Sequence, residues 1–262
     1  MNNKIIIFCI FVCILASLCY GIGERLWLRP IYPQSICGLT YNPNNDRVYY
    51  TRFYAGTISI VSSDSFCSSY GSIPTPPNGD ISGCDIKYCA YDNTFWVLVY
   101  YYHSVYKITP TGTVLRQFYS PGEFPSGLAW DEQNRHIYIA DSRSSQGSPK
   151  YIYCCDTMGN VIRQMQYPIN DPWGYGYNGG PKGLAYVPPV GGYPACLLNV
   201  YEFYNSSGDR DSAYIFALNP QNCQVLGFFK YEHPNRDSSN IYGIEYDPRD
   251  GTYWVSLYIY GT

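Results

Sequence analysis

The chain has 262 residues, with 17 Lys and Arg against 20 Asp and Glu and a net charge of -3. Its few positive charges form no run, which excludes the basic patch that nucleic-acid binding requires. The length fits one large all-β domain. Tyrosine accounts for 31 residues, and because tyrosine favours strands and tolerates one end in water, a tyrosine-rich β surface or a ligand platform is expected.

The first predicted element is a secretory signal peptide over residues 1–21, followed by a single domain over residues 22–262. Lys4 precedes an uninterrupted apolar run up to Tyr20, which is the order of a signal peptide. Two alternatives remain open: an uncleaved anchor, since the run approaches the roughly 20 residues that span a bilayer, and a lipid-modified Cys19. Export is the preferred interpretation, so the protein is expected to be secreted and to meet a membrane only if this segment is retained or lipidated.

Eight cysteines follow the signal segment. They are Cys37, Cys67, Cys84, Cys89, Cys154, Cys155, Cys196 and Cys223. An even number in an exported chain favours disulfides or inert buried thiols, and no C-x-x-C pair suggests a metal site. Proximity along the chain suggests the pairs Cys67 with Cys84 and Cys196 with Cys223, although sequence does not determine the connectivity.

One phrase recurs five times in the rest of the chain. The copies are "CGLTYNPNNDRVYYT" from Cys37, "CDIKYCAYDNTFWVL" from Cys84, "SGLAWDEQNRHIYIA" from Ser126, "KGLAYVPPVGGYPACLLNV" from Lys182 and "YGIEYDPRDGTYWVS" from Tyr242. Successive copies are offset by 47, 42, 56 and 60 residues, close to the length of a propeller blade. Each copy predicts two strands joined by a turn.

A third and a fourth strand follow most copies, most clearly in "SVYKITPTGTVLRQF" (104–118) and "YIYCCDTMGNVIRQM" (151–165). Four antiparallel strands per repeat, stacked around an axis, predict an all-β propeller. A β-sandwich is the rival fold, but it does not predict a phrase that returns at this spacing. The fifth repeat stops after its second strand, so we expect either a five-bladed ring whose last blade is incomplete or a truncated six-bladed ring. "RLWLRPI" (25–31) is a candidate outermost strand for that last blade.

The wording also resembles a known group of proteins. "PSGLAWDEQNRHIYIAD" followed by "YIYCCDTMGNVIRQ" is similar to the repeat of NHL-type propellers and of their YWTD and gluconolactonase-like relatives. The resemblance covers residues 37–257 and implies the propeller fold. Because this superfamily includes binding scaffolds, lactonases and lyases, it does not imply one activity.

Candidate site residues follow from the resemblance, since ligands of propellers usually sit where the channel opens. Gluconolactonase-like enzymes hold a divalent metal there, with an Asn or acid directly before the Gly-Leu pair. This chain has Cys37, Cys84, Ser126, Lys182 and Tyr242 at those places, and none is a ligand that calcium prefers. The remaining acids that could face the channel are Asp85, Asp141, Glu202 and Glu245, each with the alternative role of accepting backbone hydrogen bonds.

No catalytic motif is present: the chain has no G-x-S-x-G, no H-E-x-x-H and no phosphate-binding glycine loop. The three histidines, His103, His136 and His233, leave a histidine-based mechanism open. We therefore expect a secreted, monomeric binding or scaffolding module for an extracellular protein or carbohydrate, without a cofactor. The alternative is a channel-centred, metal-dependent hydrolase of the lactonase type, or a lyase, for which calcium would be the expected cofactor.

Overall fold

A computed structural model of the chain describes residues 5–11, 24–31, 36–64, 67–80, 82–142, 148–169, 180–204, 210–231, 239–249 and 251–259. These residues form five antiparallel sheets of four strands each and contain no helix. None of the described residues therefore forms a helix that could cross a bilayer. The predicted all-β propeller is confirmed.

The strands are numbered along the chain, and each sheet takes four of them. The first two, β1 (Ile5–Phe11) and β2 (Glu24–Ile31), belong to the last sheet. Sheet 1 contains β3 (Ile36–Asn42), β4 (Arg47–Arg52), β5 (Thr57–Ser62) and β6 (Ser69–Pro74). Sheet 2 contains β7 (Gly83–Cys89), β8 (Thr94–Val99), β9 (Ser104–Ile108) and β10 (Val114–Tyr119).

The remaining sheets follow the same order. Sheet 3 contains β11 (Pro125–Asp131), β12 (His136–Asp141), β13 (Tyr151–Cys155) and β14 (Val161–Gln166). Sheet 4 contains β15 (Gly180–Val187), β16 (Cys196–Tyr204), β17 (Arg210–Leu218) and β18 (Val225–Tyr231). Sheet 5 contains β19 (Ser239–Asp247), β20 (Thr252–Ile259), β1 and β2, in that order.

Burial explains why each repeat has apolar inner strands and polar outer strands. Both inner strands of sheet 2, β7 and β8, are buried along their whole length, whereas β10 is exposed except at Phe118. Five clusters of buried side chains lie between neighbouring sheets, including one between sheets 5 and 1. A strand that has a neighbour on both faces must be apolar on both, as in any stacked repeat.

The innermost strands approach so closely that a side chain does not fit at several positions. A Cβ atom added to Gly183 would lie 2.7 Å from the Gly243 Cα, and one added to Gly243 would lie 3.0 Å from the Gly38 Cα. The next contact is between Gly38 and Asp85, whose Cα would be 2.3 Å from a Cβ at Gly38. Packing around the channel therefore requires glycine at positions 38, 183 and 243, whereas the second copy of the phrase has Asp85 at the matching position.

The same contacts close the ring between β19 and β3. Ser256 donates a hydrogen bond to the Cys37 carbonyl (3.1 Å), which also joins sheet 5 to sheet 1. Among the two ring sizes expected, the described strands form the one with five sheets. The last sheet takes only β19 and β20 from its own repeat.

The N-terminal strands complete sheet 5. β1 pairs with β20 on one side and with β2 on the other, so "RLWLRPI" is the outermost strand, as expected. β1 lies inside the segment predicted as a signal peptide. That prediction stays a prediction, and cleavage after residue 21 would remove β1 from the sheet.

Candidate binding site at the channel mouth

In each copy of the phrase, the residue before the recurring glycine, or before Asp85 in sheet 2, lies at one end of the channel, which we call the mouth. Every innermost strand has a register shift there, for example between Gly83 and Asp85 and between Pro125 and Gly127. Such bulges redirect side chains at the rim of a sheet. As a result, a cavity at the mouth is lined by Cys84, Ser126, Lys182 and Tyr242 from four different sheets.

Aromatic side chains form the walls of this cavity, and two rows of rings run outward from it. In the first row the Tyr242 ring is 6.1 Å from Phe53, which is 6.2 Å from Tyr54. In the second, the Phe124 ring is 5.8 Å from Tyr100, which is 5.5 Å from Tyr101. Each row begins in the cavity and ends at an exposed tyrosine.

Further tyrosines extend this face. Tyr54 is 73% exposed and Tyr101 is 57% exposed, and Tyr102 follows Tyr101 in the same turn. Tyr119, which is also exposed, ends β10 next to that turn, because the following Ser120 donates its N–H to the His103 carbonyl (2.6 Å). We call Tyr54, Tyr101, Tyr102 and Tyr119 the tyrosine surface.

A buried ion pair lies at the base of the mouth. The Lys182 ammonium donates to Glu202 Oε2 at 2.5 Å, and both side chains are almost fully buried. The same ammonium lies 4.1 Å from the centre of the Tyr242 ring, a cation–π contact. Glu202 Oε1 accepts the Ile241 N–H (2.7 Å), so its carboxylate joins sheets 4 and 5.

The hydroxyl groups of the two serines at the mouth bind a backbone carbonyl. Ser126 Oγ and Ser142 Oγ each donate to the Pro181 carbonyl at 2.6 Å, and the two hydroxyls lie 2.8 Å apart. These bonds connect sheet 3 to sheet 4. Their geometry serves packing, since a nucleophilic serine requires a base that accepts its proton.

A second polar cluster lies deeper in the channel. Lys87 of sheet 2 donates to Glu245 (2.8 Å) and to the Ile244 carbonyl (2.8 Å) of sheet 5, and to the Leu39 carbonyl (3.2 Å) of sheet 1. Asp85 lies 3.5 Å from the same ammonium. The cluster therefore holds two carboxyl groups for one ammonium.

Burial disfavours charge on these two acids. It raises the pKa of Glu245 to about 7 and that of Asp85 to about 6, against the opposing effect of the Lys87 ammonium. The charge of Asp85 is a further, smaller cause at Glu245. Lys87 itself loses from burial but gains more from the two carboxylates, so its pKa is raised.

The four candidate acids are thus held by different partners. Asp85 accepts the Leu128 N–H of the neighbouring sheet (2.8 Å) and Asp141 accepts the Phe124 N–H (2.8 Å). Glu202 and Glu245 each bind a lysine. Within the described parts of the chain, no three His, Cys, Asp or Glu side chains are arranged to hold a metal ion; calcium binding stays untested.

The histidines do not form a shared site in the described structure. His103 lies at the mouth end of sheet 2, with its ring 6.1 Å from Tyr100. His136 begins β12 at the opposite end of sheet 3. His233 lies outside the described residues.

No disulfide joins the eight cysteines, and the two suggested pairs are wrong for the structure. Cys196 belongs to the cluster between sheets 4 and 5, whereas Cys223 belongs to the one between sheets 3 and 4. Cys67 belongs to the cluster between sheets 5 and 1, whereas Cys84 belongs to the one between sheets 2 and 3. Sequence proximity failed because cysteines that are close along the chain lie in different clusters.

Most of the thiols are buried, and burial lowers their reactivity. It raises the pKa of Cys196 to about 11 and those of Cys155 and Cys223 to about 12. A thiol with a raised pKa is a poor nucleophile. The structure thus shows seven of these eight thiols buried, which agrees with one of the two roles expected for the cysteines.

Sequence comparison identifies no relative: no family model matches the chain, and neither does any curated protein. Several solved structures share its fold. A chain of the nidogen/laminin complex is 14% identical with a TM-score of 0.53, covering 92% of this chain and 97% of that chain. Myxococcus xanthus glutaminyl cyclase is 13% identical with a TM-score of 0.52, covering 81% of this chain and 80% of that one.

A chain of Kuenenia stuttgartiensis hydrazine synthase is 14% identical with a TM-score of 0.51, covering 89% of this chain and 67% of that chain. These proteins differ in activity, so the likeness carries the architecture alone. The chain is a β-propeller that resembles, at the level of its fold, the NHL and YWTD propellers.

Proposed function

We propose that this protein is a secreted binding module that docks an extracellular protein on the tyrosine surface around the channel mouth. The observation that carries the proposal is the pair of aromatic rows, which begin in the mouth cavity and end at the exposed Tyr54 and Tyr101. Tyrosine supplies a large contact area at a low cost in side-chain entropy, and aromatic side chains are enriched at the centres of protein interfaces.

The polar groups of the mouth support binding over catalysis. Lys182, Ser126 and Ser142 donate to groups of the protein itself, so their positions strengthen the ring. A carbohydrate is the second ligand class that such a surface suits, because exposed aromatic rings can also pack against the apolar face of a sugar ring. We propose a protein ligand, and the following experiment distinguishes a protein from a carbohydrate.

The experiment measures saturable binding of the labelled protein to the extracellular material of its source cells. We expect binding to be lost in a Tyr54→Ser/Tyr101→Ser variant and retained in the control Tyr70→Ser/Phe228→Ser, which changes two exposed rings on outer strands. Protease treatment of the extracellular material should abolish binding, whereas glycosidase treatment should not. The opposite result would assign a carbohydrate ligand, and equal binding by both variants would overturn the proposal.

Secretion is tested on the same material. We expect the exported protein to lack residues 1–21 when its N-terminus is read by mass spectrometry. A retained N-terminus would instead fit β1 as a permanent strand of sheet 5.

The second candidate function is a channel-centred hydrolase or lyase. It is favoured by one observation, the buried Lys182–Glu202 pair at the base of a cavity, since buried ionisable groups also occur in active sites. Metal analysis of the purified protein separates this candidate from the first. Stoichiometric calcium, with lactone hydrolysis that is lost on chelation, would favour the enzyme.

A further inference from the structure

A carboxylate, that of Asp80, lies within the tyrosine surface. It belongs to the connection between β6 and β7, which hydrogen-bonds to a turn on either side. The Thr75 N–H donates to the Gly56 carbonyl (3.1 Å) in the β4–β5 turn, and the Tyr100 N–H of the β8–β9 turn donates to the Ser82 carbonyl (3.0 Å). These two turns carry exposed tyrosines of sheets 1 and 2, so the connection that holds Asp80 lies between them.

Asp80 is half-buried and its charge is uncompensated. Its Oδ1 atom accepts the Ser82 N–H (2.8 Å) and the Ser82 hydroxyl, and that hydroxyl accepts the Tyr101 N–H (3.2 Å). Its Oδ2 atom accepts no hydrogen bond from the described residues, and none of their lysines or arginines forms an ion pair with it. One oxygen therefore fixes the carboxylate, and the other is left for a donor from outside.

Two exposed rings lie close to this carboxylate. The register of β9 and β10 places Tyr119 on the same face of sheet 2 as Tyr106, the face that packs toward sheet 1. Burial is the main cause that raises the pKa of Tyr106, and Tyr102, Asp80 and Tyr119 raise it further, so all three lie near its hydroxyl. Tyr102 is 51% exposed and Tyr119 is 76% exposed. Both rings are therefore accessible to a ligand.

The chain contains a complete version of this arrangement at the opposite end of the ring. The Arg249 guanidinium lies on the Tyr41 ring, 3.9 Å from its centre, and binds Asp46 (2.6 Å) and Asp247 (2.7 Å). A guanidinium is flat, so it stacks on an aromatic face while its N–H groups bind a carboxylate. The tyrosine surface has the rings and the carboxylate of this arrangement, but no described arginine supplies its third part.

We propose that an arginine of the docked protein completes this arrangement, with its guanidinium against the Tyr102 and Tyr119 rings and its N–H groups donating to Asp80. The inference rests on the proposed function, because it names the chemistry of the protein that the tyrosine surface binds. The charges are complementary, since the whole chain has a net charge of -3. Arginine fits better than lysine, because its planar fork stacks on a ring and binds a carboxylate at the same time.

The first experiment needs no partner protein. Ligand-observed NMR measures how the folded protein binds N-acetyl-L-arginine amide, its neutral isostere N-acetyl-L-citrulline amide, and N-acetyl-L-lysine amide. We expect the arginine compound to bind about tenfold more tightly than the citrulline compound, and more tightly than the lysine compound. Equal binding of the citrulline compound would remove the role of charge, and equal binding of the lysine compound would leave a site for any cation. Either result, or no detectable binding of the arginine compound, overturns the proposal.

Asp80→Asn tests the site with the fold retained, because the amide oxygen can still accept from Ser82. It should weaken binding of the arginine compound about tenfold, as expected for the loss of a charge-assisted hydrogen bond. The control Glu123→Gln removes an exposed carboxylate at the same end of the ring and should leave the affinity unchanged. Tyr119→Leu, which removes a ring and keeps an apolar side chain, should weaken binding about threefold. Equal affinities for Asp80→Asn, Glu123→Gln and the unaltered protein would refute the site.

Binding to the extracellular material separates this inference from the proposed function. Asp80→Asn should weaken that binding about tenfold, and the arginine compound should compete with it. Loss of binding in Tyr54→Ser/Tyr101→Ser, with full binding by Asp80→Asn, would keep the docking surface and overturn the arginine. If the unaltered protein shows no saturable binding, the proposed function fails, and the titration with the arginine compound still decides the site.

Discussion

Lys182 and Glu202 bind each other at 2.5 Å beneath the Tyr242 ring, where both side chains are almost fully buried. Each charge compensates the other. An isolated charge buried at this position would be unfavourable by several kcal/mol. The pair therefore behaves as one unit. Its members should respond differently to single and to paired substitution.

The first prediction concerns this unit. Lys182→Met should lower the free energy of unfolding by about 3–5 kcal/mol, since it leaves Glu202 buried without its partner. Lys182→Met/Glu202→Gln should recover more than half of that loss, because the amide oxygen still accepts the Ile241 N–H. Urea unfolding measures all three proteins. The control Lys107→Met removes a partly exposed pair and should cost only about 0–1 kcal/mol; a double variant no more stable than Lys182→Met would contradict the pairing.

The second prediction concerns pH. The pKa of Glu245 is about 7 in the folded protein, above its ordinary value, so the folded state binds the proton more tightly than the unfolded state. The resulting stability is fully present below about pH 4.5 and is lost as the pH rises through about 7. Asp85 acts in the same direction, with its own loss ending near pH 6.

Glu245→Gln should therefore reduce the decline of the unfolding free energy between pH 5 and pH 7, as measured by urea unfolding at four pH values. Glu123→Gln, which changes an exposed glutamate, should leave the decline unchanged. Parallel curves for Glu245→Gln and the unaltered protein would show that Glu245 does not titrate in this range.

The third prediction concerns the glycines around the channel. A Cβ at Gly183 would lie 2.4 Å from the Tyr242 carbonyl oxygen, a backbone atom that cannot move without displacing sheet 5. Gly183→Ala should therefore lower the stability by about 3 kcal/mol or more. Gly227→Ala in β18, where a Cβ meets nothing within 4 Å, should be neutral or stabilising by up to about 1 kcal/mol. Thermal unfolding compares the two, and similar melting temperatures would argue against close contact of the innermost strands.

The fourth prediction concerns thiol chemistry. Cys67 is partly exposed, whereas the other seven described cysteines are buried. Iodoacetamide should modify Cys67 first in the folded protein and should reach the others only after unfolding, as followed by peptide mass spectrometry without reductant. A Cys67→Ser variant should then resist modification in the folded state. Recovery of disulfide-linked peptide pairs would instead show that the cysteines are cross-linked.

Much of the fold could be predicted from local sequence. "PSGLAWDEQNRHIYIAD" became β11 and β12, and the segments 104–118 and 151–165 became the outer hairpins of sheets 2 and 3. Turn residues and alternating polarity are local signals, and they occur again in each copy of the repeat. β1 was not predicted as a strand, because an unbroken apolar run next to a lysine has the same pattern as a signal peptide.

The site was less predictable. The positions of Cys84, Ser126, Lys182 and Tyr242 at the mouth followed from the phrase, but the aromatic rows depend on residues outside it. Phe53 and Tyr100 directly follow second strands and Phe124 directly precedes a first strand, so only the closed ring brings them together. Lys87 was missed as well, although a lysine inside an inner strand, where two other repeats have Ala129 and Ala185, was a usable signal.

Lys87 also affects how the ring can open. Its ammonium extends from sheet 2 across the line where sheet 5 meets sheet 1, and it binds a carbonyl on each side of that line. If sheets 5 and 1 separated, the buried Lys87 ammonium would lose the carbonyl acceptor on at least one side. Lys87, a residue of sheet 2, therefore opposes local opening between sheets 5 and 1. The amide protons of Leu39 and Ile244 should exchange with deuterium only when the whole ring unfolds.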